Sequence, residues 1–123
     1  MNNELKKIYK DIEKLLKKNT GEFISLYPGI GLSYLTFSSD SFSIHHKAMS
    51  HIIQINYCKA GQIVWEMKNR NRIYLNPGDF SLHTMKACAD SILSFPSGQY
   101  VGLTIYVDLQ ETSRNPPELL KDS

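Results

Sequence analysis

From residue 22 onward the chain alternates its side chains with a period of two, and short turn signals break the alternation at near-regular intervals. Candidate strands fall at 23–27, 32–37, 42–46, 51–58, 62–68, 71–75, 80–85, 90–95 and 100–108. The breaks read "YPGIG", "SSD", "KAG", "KNRN", "NPGD", "KACAD" and "FPSGQ". Between these strands no stretch is long enough for a crossover helix, so antiparallel pairing in a sandwich or barrel is expected rather than a parallel α/β sheet. The "GIG" at 29–31 is too short for a phosphate loop and is read as a turn.

"NRIYLNPGDF" at 71–80 is the sharpest of these breaks. Pro77 and Gly78 supply the bend. The Asp79 carboxylate is expected to cap backbone N–H groups of the bend rather than to act in catalysis. The turn then sends "RIYL" and "FSLH" to different walls of a barrel.

Two helical signals flank the β region. At 3–18, Leu5, Ile8, Ile12, Leu15 and Leu16 recur at spacings of three and four, with lysines over the remaining surface. Asn19, Thr20 and Gly21 read as its stop, with Gly21 suited to a left-handed cap. This amphipathic helix packs on its own domain or forms a homodimer contact. Without Trp or Phe on its apolar face, it is a poor membrane-surface helix. In the tail "ETSRNPPELLKDS", Asn115 caps a second helix, Pro116 sits in its first turn and Glu118 completes an Asn-x-x-Glu box. Three parts are therefore expected: helix 1–20, β domain 21–112, and at 113–123 the start of a helix that a further domain would continue.

At 123 residues the chain can bury one core without staples. No apolar run is long enough to span a membrane, and "MNNELKKIYKDIEKLLKK" has no signal-peptide block, which points to the cytoplasm. Cys58 and Cys88 are too few for a disulfide framework and read as reduced, partly buried thiols. Residues 1–18 hold six lysines against Glu4, Asp11 and Glu13, so the rest of this +2 chain sums to −1. The β body thus lacks the basic face that direct DNA or RNA binding requires.

"HIIQINYCKAGQIVWEMKNRNRIYLNPGDFSLHT", followed by "SFPSGQYVGLTIYVDLQE", resembles the N-terminal regulatory domain of AraC/XylS-family transcription regulators. The likeness covers roughly 40–112 and rests on the INYC-x-x-G strand-turn, the LNPGD turn and the FP-x-G-x-Y-x-G strand. It implies a cupin-like double-stranded β-helix barrel that senses a small molecule or mediates dimerisation. It also implies DNA binding through a C-terminal domain with two helix-turn-helix units, which this chain does not contain.

Cupin-like folds also host metal-dependent enzymes, so their ligand pattern was placed on this chain. With Gly61 at the first conserved glycine, Gln54 falls where the pattern has Glu. The histidine pair falls on Lys47 and Met49, or on Ala48 and Ser50. With Gly78 at the second glycine, Ala89 falls on the last histidine. None of these can grip a divalent ion. A one-residue shift would bring in His51. Adjacent His45 and His46 face opposite ways on a strand, whereas His51 and His83 could meet inside a barrel. No G-x-S-x-G elbow and no Cys–His pair with a plausible orienting group is found in the sequence, and Asp108 and Glu111 are expected to be solvated. The expectation is a non-enzyme without metal or cofactor.

The candidate ligand-binding set is Gln54, Asn56, Trp65, Tyr74, His83 and Tyr106. Period two puts Gln54, Asn56 and Cys58 on one face and Ile53, Ile55 and Tyr57 on the other. Trp65 shares a face with Ile63 and Met67, His83 with Ser81 and Met85, and Tyr106 with Thr104 and Gly102. Which face turns inward is left open by periodicity. The partners expected are a small-molecule effector, a possible second copy through helix 3–18, DNA through the absent domain only, and no membrane. A small metal-dependent cupin enzyme and a pure dimerisation module are the alternatives.

Overall fold

The computed structural model describes residues 3, 5–7, 10, 20–38 and 41–114, with the backbone alone at 20–22, 37 and 42. Nine strands are present among them: β1 (Thr20–Tyr27), β2 (Ile30–Phe37), β3 (Ser41–Ile44), β4 (Ile52–Gly61), β5 (Ile63–Glu66), β6 (Arg72–Leu75), β7 (Phe80–Thr84), β8 (Ser91–Ser94) and β9 (Tyr100–Asp108). They match the nine expected segments to within a few residues. One short helix, α1 (Leu109–Arg114), follows β9. No described helix is long and apolar enough to cross a membrane.

All pairings are antiparallel. One sheet has the order β1-β2-β9-β4-β7 and the other β3-β8-β5-β6. The alternation of β4 and β9 sets the interior. Ile52, Gln54, Asn56 and Cys58 are buried, while Ile53, Ile55 and Tyr57 are half-buried on the outer side. In β9, Tyr100, Gly102, Thr104, Tyr106 and Asp108 point inward. Between the sheets, Ile52, Trp65, Leu75, Met85 and Tyr106 are all nearly solvent-free and belong to one core. Fully burying a side chain of this size contributes about 1.5–3 kcal/mol.

The LNPGD turn is wiring, as its residues suggest. Gly78 adopts φ +95, and its N–H donates to the Cys58 carbonyl at 2.8 Å while Cys58 N–H donates to the Asp79 carbonyl at 3.0 Å. Asp79 Oδ2 accepts from Asn76 N–H at 2.8 Å, so the carboxylate caps the bend. The turn carries the chain from β6 in the four-stranded sheet to β7 in the five-stranded one.

The ends differ from expectation. Asn3, Leu5, Lys6, Lys7 and Lys10 are helical, and Leu5 reaches the core at 1% exposure; Ile8, Ile12, Leu15 and Leu16 lie outside the described residues. The end of that helix lies outside the described residues, and Gly21 has no left-handed φ. Thr20 and Gly21 open β1, where Gly21 pairs with Leu35. At the other end the helix starts at Leu109. Asp108, 9% exposed rather than solvated, caps it by accepting from Gln110 N–H at 3.0 Å and Glu111 N–H at 3.2 Å. Glu111 is half-buried and bonded to Arg114 at 2.7 Å. The box expected at Asn115–Glu118 lies outside the described residues.

Candidate ligand site inside the barrel

Cross-strand register sets polar side chains side by side on the inner wall. One row runs Ser81 (β7), Asn56 (β4), Thr104 (β9) and Ser33 (β2). The next runs His83, Gln54, Tyr106 and Gly31. Gly31 ends its row because a Cβ there would strike the Phe23 ring, which lies 6.5 Å from the Tyr106 ring.

Asn56 is the hub. Its Oδ1 accepts from Thr104 Oγ1 at 2.7 Å and from Gln54 Nε2 at 3.3 Å. Its Nδ2 donates to Ser81 Oγ at 3.4 Å and to His83 Nε2 at 3.3 Å. These four bonds use the full capacity of an amide. Because Nε2 accepts, the neutral imidazole carries its proton on Nδ1. Burial drives the His83 pKa down from 6.5 to about 4, which keeps the ring neutral. His83 Nδ1 and Ser33 Oγ are both buried without a hydrogen-bond partner.

Trp65 closes the site from the opposite sheet. Its ring meets His83 edge-on at 4.5 Å, and its N–H donates to Ser91 Oγ at 2.8 Å. Ser91 donates onward to the Cys88 carbonyl at 2.7 Å, and the Cys88 thiol donates to Gln54 Oε1 at 3.3 Å. Burial pushes the Cys88 thiol up to about 12, so it stays protonated.

Five of the six expected site residues are thus neighbours. Gln54, Asn56, Trp65 and Tyr106 line one cavity, and His83 is bonded to that wall. Tyr74 does not join them. In β6 the inward parity belongs to Leu75, so Tyr74 stands outside at 60% exposure, opposite Val64. Thr104 and Cys88 belong to the network and were missed. Period two had already placed Thr104 on the face of Tyr106, whereas Cys88 lies in an irregular segment where no periodicity operates.

The cavity is small, about 30 Å³, which holds about two waters. Its donors do not suit a resident metal. The expected ligand positions carry Gln54 and Ala89, the one imidazole on the inner wall has Nε2 engaged by Asn56, and both cysteine pKa values are raised by burial. His51 has the parity of the outward residues Ile53 and Ile55. It lies three positions along β4 from the partner of His83, roughly 10 Å away. Among the described residues no three His, Cys, Asp or Glu side chains gather into a metal site.

No family model and no curated protein matches the sequence. Solved structures do share the fold. A Cupin 2 conserved barrel domain protein from Salinispora arenicola superposes with TM-score 0.61 at 14% identity, over 81% of this chain and 84% of its own. KdgF from Halomonas sp. gives 0.57 at 13%, over 73% and 78%. An HTH_3 family transcriptional regulator from Vibrio cholerae gives 0.56 at 12%, over 81% of this chain and 61% of its own. At these identities the likeness establishes one thing, that the two sheets form a cupin barrel.

Proposed function

We propose that this chain is the non-catalytic, effector-sensing barrel of an AraC-type transcription regulator. A small molecule enters the barrel and alters DNA binding by a helix-turn-helix domain outside this chain. The carrying observation is the inner wall: a fully bonded amide hub at Asn56, neutral His83, and a Cys88 thiol that burial pushes up to about 12 although His46 Nε2 lies 3.7 Å from it, with no group of His, Cys, Asp or Glu among the described residues that could hold an ion. Such a wall can recognise a polar guest but offers no group to transform it. The shared fold with a helix-turn-helix regulator supports the reading, and the shared fold with KdgF keeps the enzyme alternative in the test.

The cavity sets a condition. With about 30 Å³ available, an effector larger than two waters binds only if side chains withdraw. Binding then selects a wider state of the barrel, and that change is what a second domain would read. The same small volume favours a second reading, a dimerisation module with a filled core.

Metabolite screening by thermal shift, confirmed by calorimetry and by the emission of Trp65, tests the proposal. A ligand at a hundred times its dissociation constant should stabilise the fold by about 2.7 kcal/mol. A purified protein with a stoichiometric metal ion and turnover would sink it. So would a coding sequence whose downstream segment lacks helix-turn-helix units.

A further inference from the structure

The two ends of the cavity are shut in different ways. At one end Tyr100 fills the space. Its hydroxyl donates to the Tyr57 carbonyl at 3.2 Å, its ring lies 5.9 Å from that of Phe95, and a Cβ on Gly102 would strike it. At the other end the cover is the turn segment 85–90, and its backbone is anchored only at its ends. Met85 N–H donates to the Ile52 carbonyl at 2.8 Å, and ladder pairing resumes where Ser91 meets Ile44. In between, the Ala87 and Cys88 N–H groups reach back to the Thr84 carbonyl at 3.1 and 3.3 Å. Among the described residues no backbone bond joins 86–90 to another strand. Asp90 sits at φ +55, in the left-handed region, where a short polar side chain is tolerated.

Side chains hold this segment down. Cys88 and Ala89, 1% and 7% exposed, point into the barrel, while Lys86, Ala87 and Asp90 stand in water. The Cys88 thiol faces three acceptors, Gln54 Oε1 at 3.3 Å, His46 Nε2 at 3.7 Å and Met85 Sδ at 3.8 Å. One weak S–H donor serves one of them at a time. The Ser91 hydroxyl holds the Cys88 carbonyl at 2.7 Å. On the outside the Asp90 carboxylate is gripped from two sides, by His45 Nδ1 at 2.9 Å from the end of β3 and by Lys68 Nζ at 3.8 Å from the β5–β6 turn. Both pairs are exposed, and such pairs are individually weak.

We infer that residues 86–90 are a hinged plug, latched by Asp90 to His45 and Lys68, which swings outward while the two sheets stay folded and so opens the way into the cavity. A short segment without ladder bonds, held by one sulfur donor, one hydroxyl and two surface pairs, lies at the low end of the local stabilities in a fold. The walls on β4 and β9 carry a continuous ladder and lie at the high end. Gln54 both lines the cavity and accepts from Cys88, so lifting the plug bares the cavity from that side. The use of the plug as an effector's entrance rests on the function proposed above. Its opening does not, and a failed metabolite screen would leave it standing.

Labelling of Cys88 by an aromatic disulfide reagent, in the full chain carrying Cys58→Ser and without any ligand, tests the plug. In native buffer the reaction should proceed over hours, at a rate that barely changes with urea below the unfolding transition, because a local opening exposes little surface. His45→Ala/Lys68→Ala removes both partners of Asp90 at exposed positions. It should speed labelling by about threefold or more at an unchanged urea midpoint. Asp90→Asn, which keeps a side chain that tolerates the left-handed backbone, should act in the same direction. Lys86→Ala, on the plug but outside the latch, should leave the rate as it was. Hydrogen exchange read by mass spectrometry should show 86–90 exchanging before β4 and β9. A labelling rate that climbs with urea as steeply as global unfolding overturns the inference. So do latch variants that label at the parent rate, and so does a segment 86–90 that exchanges together with β4.

Discussion

Asn56 Nδ2 donates to His83 Nε2 at 3.3 Å across the β4–β7 ladder, and that bond decides which nitrogen of the ring bears the proton. The same amide accepts from Thr104 and Gln54, so one side chain joins β7, β4 and β9 from the inside. A buried network of this kind strengthens the fold while complete and is costly when broken.

Asn56→Ala is therefore expected to cost about 2–4 kcal/mol, because four bonds go at once and the buried Thr104 hydroxyl loses its acceptor. Thr104→Val removes the 2.7 Å bond alone and should cost about 1–2 kcal/mol. Urea unfolding followed by Trp65 emission measures both. Equal costs for the two variants would mean that Asn56 is no hub.

The His83 imidazole makes stability fall in mild acid. Its folded pKa is about 4 against 6.5 when free. Above 6.5 the ring is neutral in both states and contributes no pH dependence. Between 6.5 and 4 the unfolded chain takes up a proton that the folded chain refuses, so stability is lost as the pH falls, by about 2–3 kcal/mol across the window. Asp90, held low chiefly by its bond to His45, adds slope of its own. The measurement is thus the difference between wild type and His83→Gln from pH 7 to 4. Parallel curves would show that His83 is charged or accessible in the fold.

How much of this could be read from the letters depends on where side chains alternate. Gln54 with Asn56, Trp65 with Ile63, and Tyr106 with Thr104 sit in strands whose parity is regular, and the alternation puts each pair on one face, which the structure turns inward. β6 is a four-residue edge strand in which Leu75 already fills the inward place, so Tyr74 was assigned a face that the register does not give it. A carboxylate at the end of a strand, as Asp108 is, would ordinarily be solvated, but Asp108 is buried. Yet Asp108 and Glu111 have the Asp-x-x-Glu spacing that opens a helix, and this signal was present. Sheet order was beyond reach. Nothing local places β9 between β2 and β4, and without that order neither the inner polar rows nor the outer aliphatic row can be drawn.

Gly61 should be irreplaceable, in contrast to Gly98. Both have positive φ, +80 and +76. A Cβ on Gly61 would land on the Gln99 carbonyl oxygen, where β4 meets the start of β9, whereas nothing lies within 4 Å of one on Gly98. Gly98→Ala then carries only the left-handed backbone penalty of about 1–2 kcal/mol. Gly61→Ala adds backbone displacement and should cost several kcal/mol in thermal or urea unfolding. Similar losses would mean that the two strands separate freely at this corner.

Thiol reactivity reports whether the interior opens. The thiolate is the reactive species, and Cys88, at 1% exposure, is pushed up to about 12. At pH 8 its thiolate fraction falls roughly 10³-fold below that of an unperturbed thiol. Cys58 is also raised, first by burial and then by the Asp79 carboxylate. An aromatic disulfide reagent should therefore leave both thiols unmodified in the native protein over minutes and titrate two per chain in denaturant. Cys58→Ser isolates Cys88, whose labelling should then follow the opening of the barrel. Immediate labelling of Cys88 in the native state would show that the wall between β4 and the 85–90 segment stands open.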